Sequence, residues 1–524
     1  MYLIYDTETT GLPKKFNAPL TDFDNWPRLV QIAWQLHDDN GHLIEADNII
    51  VKPDGFTIPF NSIKIHGITN EKANEQGKPL AQVLERFNQV LVKSKYVIGH
   101  NIEFDINIVG CEFLRSNIDS ELTQMQTIDT KNESTNYCAL PGGKGGKFKY
   151  PTLSELHEKL FGNQFKEAHN AAADVEATTR CFFKLCHLKV IEREDIDLDE
   201  KIMDHLANVA KQILSSIDYA IENKRNDGIE IDKAAASKIE GTFSHLHIHT
   251  QFSVLQATTK LDAMINKAIR DKQPAIAMTD TGNMYGAFKF TRAALKAGIK
   301  PIVGCELNVC ADMYNRTSKD NGYPVVILAK NKKGYHNLAK LSSMAMTDGF
   351  YYVPRIDKKA IVAHKEDLLV LTGGLFGEVA HLVLNVGEEQ AEESIKWWKS
   401  EFGDDFYLEL NRHGLEEENH LNNVLLRFAS KHGVNVIAAN NAYYLDKKDA
   451  KAHDVLICVK ENELVETPKK YVGRKGREFR FGFPNDEFYV KTQDEMKALF
   501  ADVPEAIENI QVLVDKCQGF SLES

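Results

Sequence analysis

The stretch Tyr2-Leu3-Ile4-Tyr5-Asp6-Thr7-Glu8-Thr9-Thr10-Gly11 decides how the front of the chain is read. Its aromatic and aliphatic start reads as a β-strand that runs straight into an acidic segment. Side chains alternate along a strand, so Asp6 and Glu8 point to one face. Two neighbouring carboxylates repel unless positive charge lies between them, and a hard divalent cation such as Mg²⁺ or Mn²⁺ supplies it. Asp-x-Glu alone is a common surface pattern, so the neighbours decide its meaning.

Two later segments supply matching residues. In Val97-Ile98-Gly99-His100-Asn101-Ile102-Glu103-Phe104-Asp105 an apolar strand ends at a Gly-His-Asn turn, and Asp105 falls in the first turn of a helix. In Ala168-His169-Asn170-Ala171-Ala172-Ala173-Asp174 small residues separate His169 from Asp174, which opens an alanine-rich helix of strong formers. Each piece alone has an ordinary reading as a helix cap or a surface histidine. Together, in this order and within one domain length, they form a coherent set.

That set resembles the DEDDh 3′–5′ exonucleases of the epsilon proofreading type, and Ile65-His66-Gly67-Ile68-Thr69 resembles their intermediate segment. The resemblance implies a ribonuclease H-like α/β domain over residues 1–185. It implies that Asp6, Glu8, Asp105 and Asp174 hold two Mg²⁺ or Mn²⁺ ions, about 4 Å apart, for phosphodiester hydrolysis. His169 is then the general base, since an imidazole with pKa of about 6.5 suits proton abstraction near neutrality. His66 and Asn101 are expected to touch substrate, and the product is a nucleoside monophosphate cut from a DNA 3′ end. Pro141-Gly142-Gly143-Lys144-Gly145-Gly146-Lys147-Phe148-Lys149 lacks P-loop spacing. It is either a plain loop or a phosphate contact through Lys144 and Lys147.

A chain of 524 residues is too long for one ordinary core. We expect a nuclease domain at 1–185, a helical linker at 186–241 and a second domain at 242–524. The linker call rests on periodic Ile202, Leu206, Val209, Ile213, Leu214 and Ile217. An apolar share of 43% and a charged share of 26% fit a globular protein, and net charge −12 argues against a broad nucleic-acid-binding coat. Eight cysteines without a CxxC pair read as free thiols in a reducing cytoplasm. The start lacks signal-peptide character and no stretch reads as a membrane span, so the expected location is cytoplasmic.

In the second domain, strands at 244–249, 275–279, 301–303 and 324–329 alternate with helices near 260–271, 286–297 and 334–345, as in a parallel sheet or barrel. Ser244-His245-Leu246-His247-Ile248-His249-Thr250 places three histidines on one strand face, and HxH is a plausible divalent-metal pair. With Thr279-Asp280-Thr281, Gly304-Cys305-Glu306, Tyr407-Leu408-Glu409-Leu410 and Ala452-His453-Asp454, this order resembles the PHP domain of bacterial DNA polymerase III alpha subunits. The resemblance implies a distorted (β/α)₇ barrel with a three-metal centre. His247, His249, Glu306 and His413 remain in place. Gln256, Thr281, Gly374 and the Asn441-Ala442-Tyr443 run stand where that family has ligands. The expectation is a mainly structural barrel holding at most one Zn²⁺ or Mn²⁺ through His247, His249 and Glu306.

No acidic palm motif of a polymerase is expected before Ser524. The basic run from Lys469 to Arg480 reads as a solvated loop or a DNA-facing one. The leading expectation is a proofreading nuclease that acts on the primer 3′ end beside replisome components such as a sliding clamp or clamp loader. A scaffold module and an active PHP phosphoesterase are the competing readings.

Overall fold

The computed structural model describes residues 1–163, 170–194, 196, 198, 201–216, 241–473 and 478–523. Its chain divides into two compact units, Met1–Asn223 with Asn385–Gly387, and Lys224–Leu384 with Glu388–Ser524.

The first unit is built on a mixed sheet of order β3-β2-β1-β4-β5, formed by Tyr2–Thr9 (β1), Leu29–His37 (β2), Leu43–Ile50 (β3), Tyr96–Gly99 (β4) and Gln126–Asp129 (β5). β1 pairs antiparallel with β2 and parallel with β4. β2 is buried along its whole length. β3 begins earlier than its apolar tail at 48–51 suggests, because an edge strand shows water one face, here Ile44, Ala46 and Asn48, while Glu45 and Asp47 on the other are half-buried against Arg86.

Alternation along β1 sorts its side chains between two layers. Leu3 and Tyr5 pack with Ile102, Ile108 and Phe113 of the helix Ile102–Arg115. Tyr2 and Ile4 pack on the other face with Val175, Phe182 and Phe183 of the helix Ala171–His187. Each such burial stabilises by about 1.5–3 kcal/mol before entropy is set against it. The helix Ile202–Ser216, in the segment read as a linker, buries Ile202 and Leu206 in this second layer. Ile217 lies outside the described residues.

In the second unit the sheet order is β12-β11-β10-β8-β7-β6, from Ala275–Thr281 (β6), Lys300–Cys310 (β7), Tyr323–Ala329 (β8), Leu368–Leu371 (β10), Phe406–Asn411 (β11) and Asn435–Ala439 (β12). Ile356–Asp357 (β9) pairs with β7 off this path. The expected 244–249 strand is not a regular one. Ile248 donates its N–H to the Thr279 hydroxyl at 2.9 Å, so a side chain replaces a ladder bond there. The segment still closes the ring. The His245 and Ile248 carbonyls accept from β6 at Ala277 and Thr279, both 2.9 Å, and His249 N–H donates to the Ala442 carbonyl at 2.8 Å.

The sheet is not all parallel, because β8 runs antiparallel to both β7 and β10. Residues 311–322 join β7 to β8 with no helix. Such a direct return reverses the strand, whereas a parallel partner needs a crossover. The result is a mixed α/β, distorted barrel. All eight cysteines are free thiols. Among the described residues no helix is long and apolar enough to cross a membrane.

Candidate active site

β1 turns Asp6 and Glu8 toward the layer that contains the helix Ala171–His187. Asn170 caps that helix, accepting from the N–H groups of Ala172 at 3.1 Å and Ala173 at 3.4 Å. The cap fixes where the first turn starts, and buried Ala171, Ala172 and Ala173 let it lie close to the sheet. Asp174 therefore meets the two β1 carboxylates. Oxygens of Asp6, Glu8 and Asp174 all lie within 4.8 Å of one another.

Asp105 arrives from the opposite face of β1. Its Oδ1 accepts from the Thr7 hydroxyl at 2.6 Å and the Thr7 N–H at 3.1 Å. Asn101, left-handed at φ 76°, leads into the Asp105 helix. Its N–H donates to Asp129 Oδ1 at 2.9 Å, and its side-chain oxygen accepts from Lys131.

The charges that Asp6 and Glu8 face are other carboxylates. Burial, then Asp105, Asp174 and Glu8, hold Asp6 well above the usual carboxylate range. Burial, then Asp174 and Asp105, push Glu8 up to about 8. Burial raises Asp105 to about 7 against the pull of its Thr7 hydrogen bonds. A hard cation reverses each of these effects, and an all-oxygen donor set is what Mg²⁺ and Mn²⁺ take, so these residues fit such ions.

His169 lies outside the described residues, as does the side chain of Lys144. Lys147 is exposed. His66 is buried, its Nδ1 accepting from the Ile68 N–H at 3.1 Å. Sequence reading missed Thr7. Its place between the two acids was visible, but its face of the strand pointed attention away.

The barrel holds a second cluster. His247 Nδ1 lies 2.7 Å from Glu409 Oε1, and its Nε2 lies 3.0 Å from Glu306 Oε2. His249 Nε2 approaches the same Glu306 oxygen at 3.3 Å. Thr281, in place of a family histidine, donates to Glu306 Oε1 at 3.2 Å. Tyr443 stacks on the His249 ring with centroids 4.2 Å apart. Burial opposes charge on His247, yet Glu409 and Glu306 outweigh it and push its pKa to about 10. Glu306 is held well below the usual range by His249 and His247 despite its burial. Ligand atoms of His247, His249 and Glu306 all lie within 4.8 Å of one another, so the expected trio is brought together, with Glu409 on the other nitrogen of His247 in the position of a partner behind a ligand. Glu409 was quoted from the sequence but given no role; a lone acid inside an apolar strand was the available signal.

Two further expectations need correction. His413, kept from the family pattern, is not in the cluster: Glu418 holds its Nδ1 at 2.6 Å and the Asn440 carbonyl its Nε2 at 2.7 Å. His245, outside the expected trio, has its Nε2 2.7 Å from the Lys491 carbonyl. Arg480 does not face DNA; it is buried and donates to both Asp454 oxygens at 2.9 and 2.8 Å. Residues 474–477 of that basic run lie outside the described residues.

Residues 3–182 match the exonuclease family profile, and residues 245–413 match that of the PHP domain. The chain joins an exonuclease domain to a PHP domain. Its relatives include the DNA polymerase III subunit alpha of Borreliella burgdorferi, 38% identical over 53% of this chain and 24% of that protein. The Thermus aquaticus subunit is 40% identical over 50% of this chain and 21% of that protein. The chain thus spans less than a quarter of each of these two relatives. Among solved structures, the zinc-bound E. coli ExoI–ssDNA complex is 22% identical, covers 41% of this chain and 45% of that one, and gives a TM-score of 0.28.

Proposed function

We propose that the exonuclease domain is a metal-dependent 3′–5′ proofreading nuclease acting on DNA 3′ ends, and that the PHP barrel beside it in sequence is mainly structural. The observation that carries the reading is the trio Asp6, Glu8 and Asp174, three carboxylates brought within 4.8 Å on one sheet face of an exonuclease fold. Two divalent cations bound there would lower the pKa of the attacking water and neutralise charge on the leaving 3′ oxygen. Asp6, Glu8 and Asp174 supply the ligand oxygens on one face of β1. Asp105 supplies the fourth carboxylate from the other face, held in place by Thr7. His169 takes the water proton, and Asn101 and His66 line the approach of the terminal nucleotide.

The test uses the full chain with a 5′-labelled single-stranded oligonucleotide and a mismatched primer end. A ladder of shortened products and free mononucleotide should appear with Mg²⁺ or Mn²⁺ and vanish in EDTA. Asp6→Asn with Glu8→Gln should lower the rate by roughly a hundredfold or more. Undiminished activity in that folded double variant would sink the reading.

A further inference from the structure

We propose that Tyr150 and Phe148 form a stacking ledge for the single-stranded DNA that leads into the carboxylate centre, and that this ledge makes the enzyme favour unpaired 3′ ends. The inference rests on the nuclease reading and adds to it a binding site upstream of the bond that is cut.

Residues 141–150 contain three lysines and no acid, on a chain of net charge −12. Two large rings stand in water within this basic stretch, with Phe148 47% and Tyr150 60% exposed. The stretch is anchored on both sides. Lys149 N–H donates to the Leu140 carbonyl at 2.8 Å, and its ammonium meets Glu155 at 2.7 Å. Thr152 and Glu155 then form a capping box that starts the helix Leu153–Phe161. The Pro151 carbonyl lies 3.0 Å from His100 Nε2, so the rings are tied to the turn from which the Asp105 helix springs. Lys131 makes a second tie. Its ammonium lies 5.3 Å from the Tyr150 ring centroid and also donates to the Asn101 side chain.

This arrangement matches the two chemical features of a nucleic-acid single strand. Every unpaired base offers a π face to an aromatic ring, and every phosphate offers a charge to a lysine. A paired duplex buries its base faces, so it cannot stack on Tyr150 and Phe148 without fraying. The ledge therefore converts a lost base pair at the 3′ end into binding energy. Exposed aromatics beside Lys131 and the exposed Lys147 also recommend single-stranded DNA over an apolar protein segment as the occupant.

The experiment measures anisotropy of labelled oligothymidylates of two to twelve nucleotides on the full chain, with Ca²⁺ replacing Mg²⁺. Wild-type affinity should climb with length over the first several nucleotides. Phe148→Ala with Tyr150→Ala should lose about five- to hundredfold on the longer strands and far less on the dinucleotide. Tyr150→Phe should bind like wild type, since the ring and not the hydroxyl stacks. Equal binding of long strands by wild type and the double-alanine variant overturns the ledge, as does a loss in Tyr150→Phe as large as in Tyr150→Ala. Cleavage by wild type in Mg²⁺ is scored separately. Binding with the predicted length dependence but without cleavage keeps the ledge and removes the nuclease reading. Cleavage with unaltered variant binding does the reverse.

Discussion

Thr7→Val isolates the group that holds Asp105. Thr7 is buried, and both its hydroxyl at 2.6 Å and its N–H at 3.1 Å donate to one Asp105 oxygen. Valine has nearly the same shape, keeps the N–H and suits a strand. The substitution therefore deletes one hydrogen bond to a charged group, a loss of about 1.5–3 kcal/mol. At about 1.4 kcal/mol per pKa unit this equals roughly one to two units on Asp105.

The direction is upward, because the Thr7 hydrogen bonds are what lower a carboxyl that burial has raised to about 7. In the proposed two-metal site Asp105 has to be ionised to bind a cation, so protons and metal would compete there. At subsaturating Mn²⁺ the acid limb of the pH–rate profile should move up by about one unit or more, and the deficit should shrink toward pH 9. The apparent Kd for Mn²⁺ should rise about ten- to hundredfold, the usual cost of losing a partner behind a ligand. The assay is cleavage of a 5′-labelled single strand from pH 6 to 9.5 over a Mn²⁺ series, with the melting temperature as a check on folding. A folded variant whose acid limb and Mn²⁺ dependence both match wild type would refute the role given to Thr7.

Metal-free protein should lose stability in its first unit as pH rises. Glu8 near 8 and Asp105 near 7 are raised carboxyls, so their contribution is complete below their ordinary values and lost as pH climbs through 7 to 8. In EDTA the melting temperature should fall between pH 5 and 8.5, with Mn²⁺ rescuing it most at the alkaline end; a flat profile counts against mutual repulsion of these carboxylates. Glu409→Ala leaves the buried His247 without its 2.7 Å partner and should cost about 3–5 kcal/mol, read as a lower urea midpoint for the second unit. Gly374→Cys supplies the residue that the PHP resemblance leads one to expect there, yet φ is +70° and an added Cβ would lie 3.0 Å from Asn411 Nδ2. It should destabilise by about 1–2 kcal/mol without creating a metal site, as measured by denaturation and by metal content.

The first centre was legible in sequence because each carboxylate sits at a local landmark. Asp6 and Glu8 end a strand, Asp105 follows the Asn101 turn and Asp174 follows the Asn170 cap. What the sequence hid were contacts made across elements. The alternation of His245, His247 and His249 is real, but Lys491 on a distant segment captures the first ring. Glu418, at the start of the helix Glu416–His432, captures His413. Arg480 looked basic and available until Asp454 was found beside it. The reversal of β8 had a readable cause in the helix-free residues 311–322, which a rhythm of alternating strands and helices obscured.

The two acidic centres meet the same electrostatic problem in opposite ways. In the exonuclease domain Asp6 and Glu8 face like charge, and the protons on Glu8 and Asp105 leave near pH 8 and 7. A divalent cation displaces them and cancels the repulsion that raised the carboxyls. In the barrel, Glu306 and Glu409 already grip the two nitrogens of His247, whose proton leaves near pH 10. An incoming cation must first expel that proton. His247 thus acts as a built-in counter-ion to Glu306 and Glu409, whose place a cation can take among His247, His249 and Glu306, their ligand atoms lying within 4.8 Å of one another. The carboxylates of β1, by contrast, face other carboxylates and call for a metal directly.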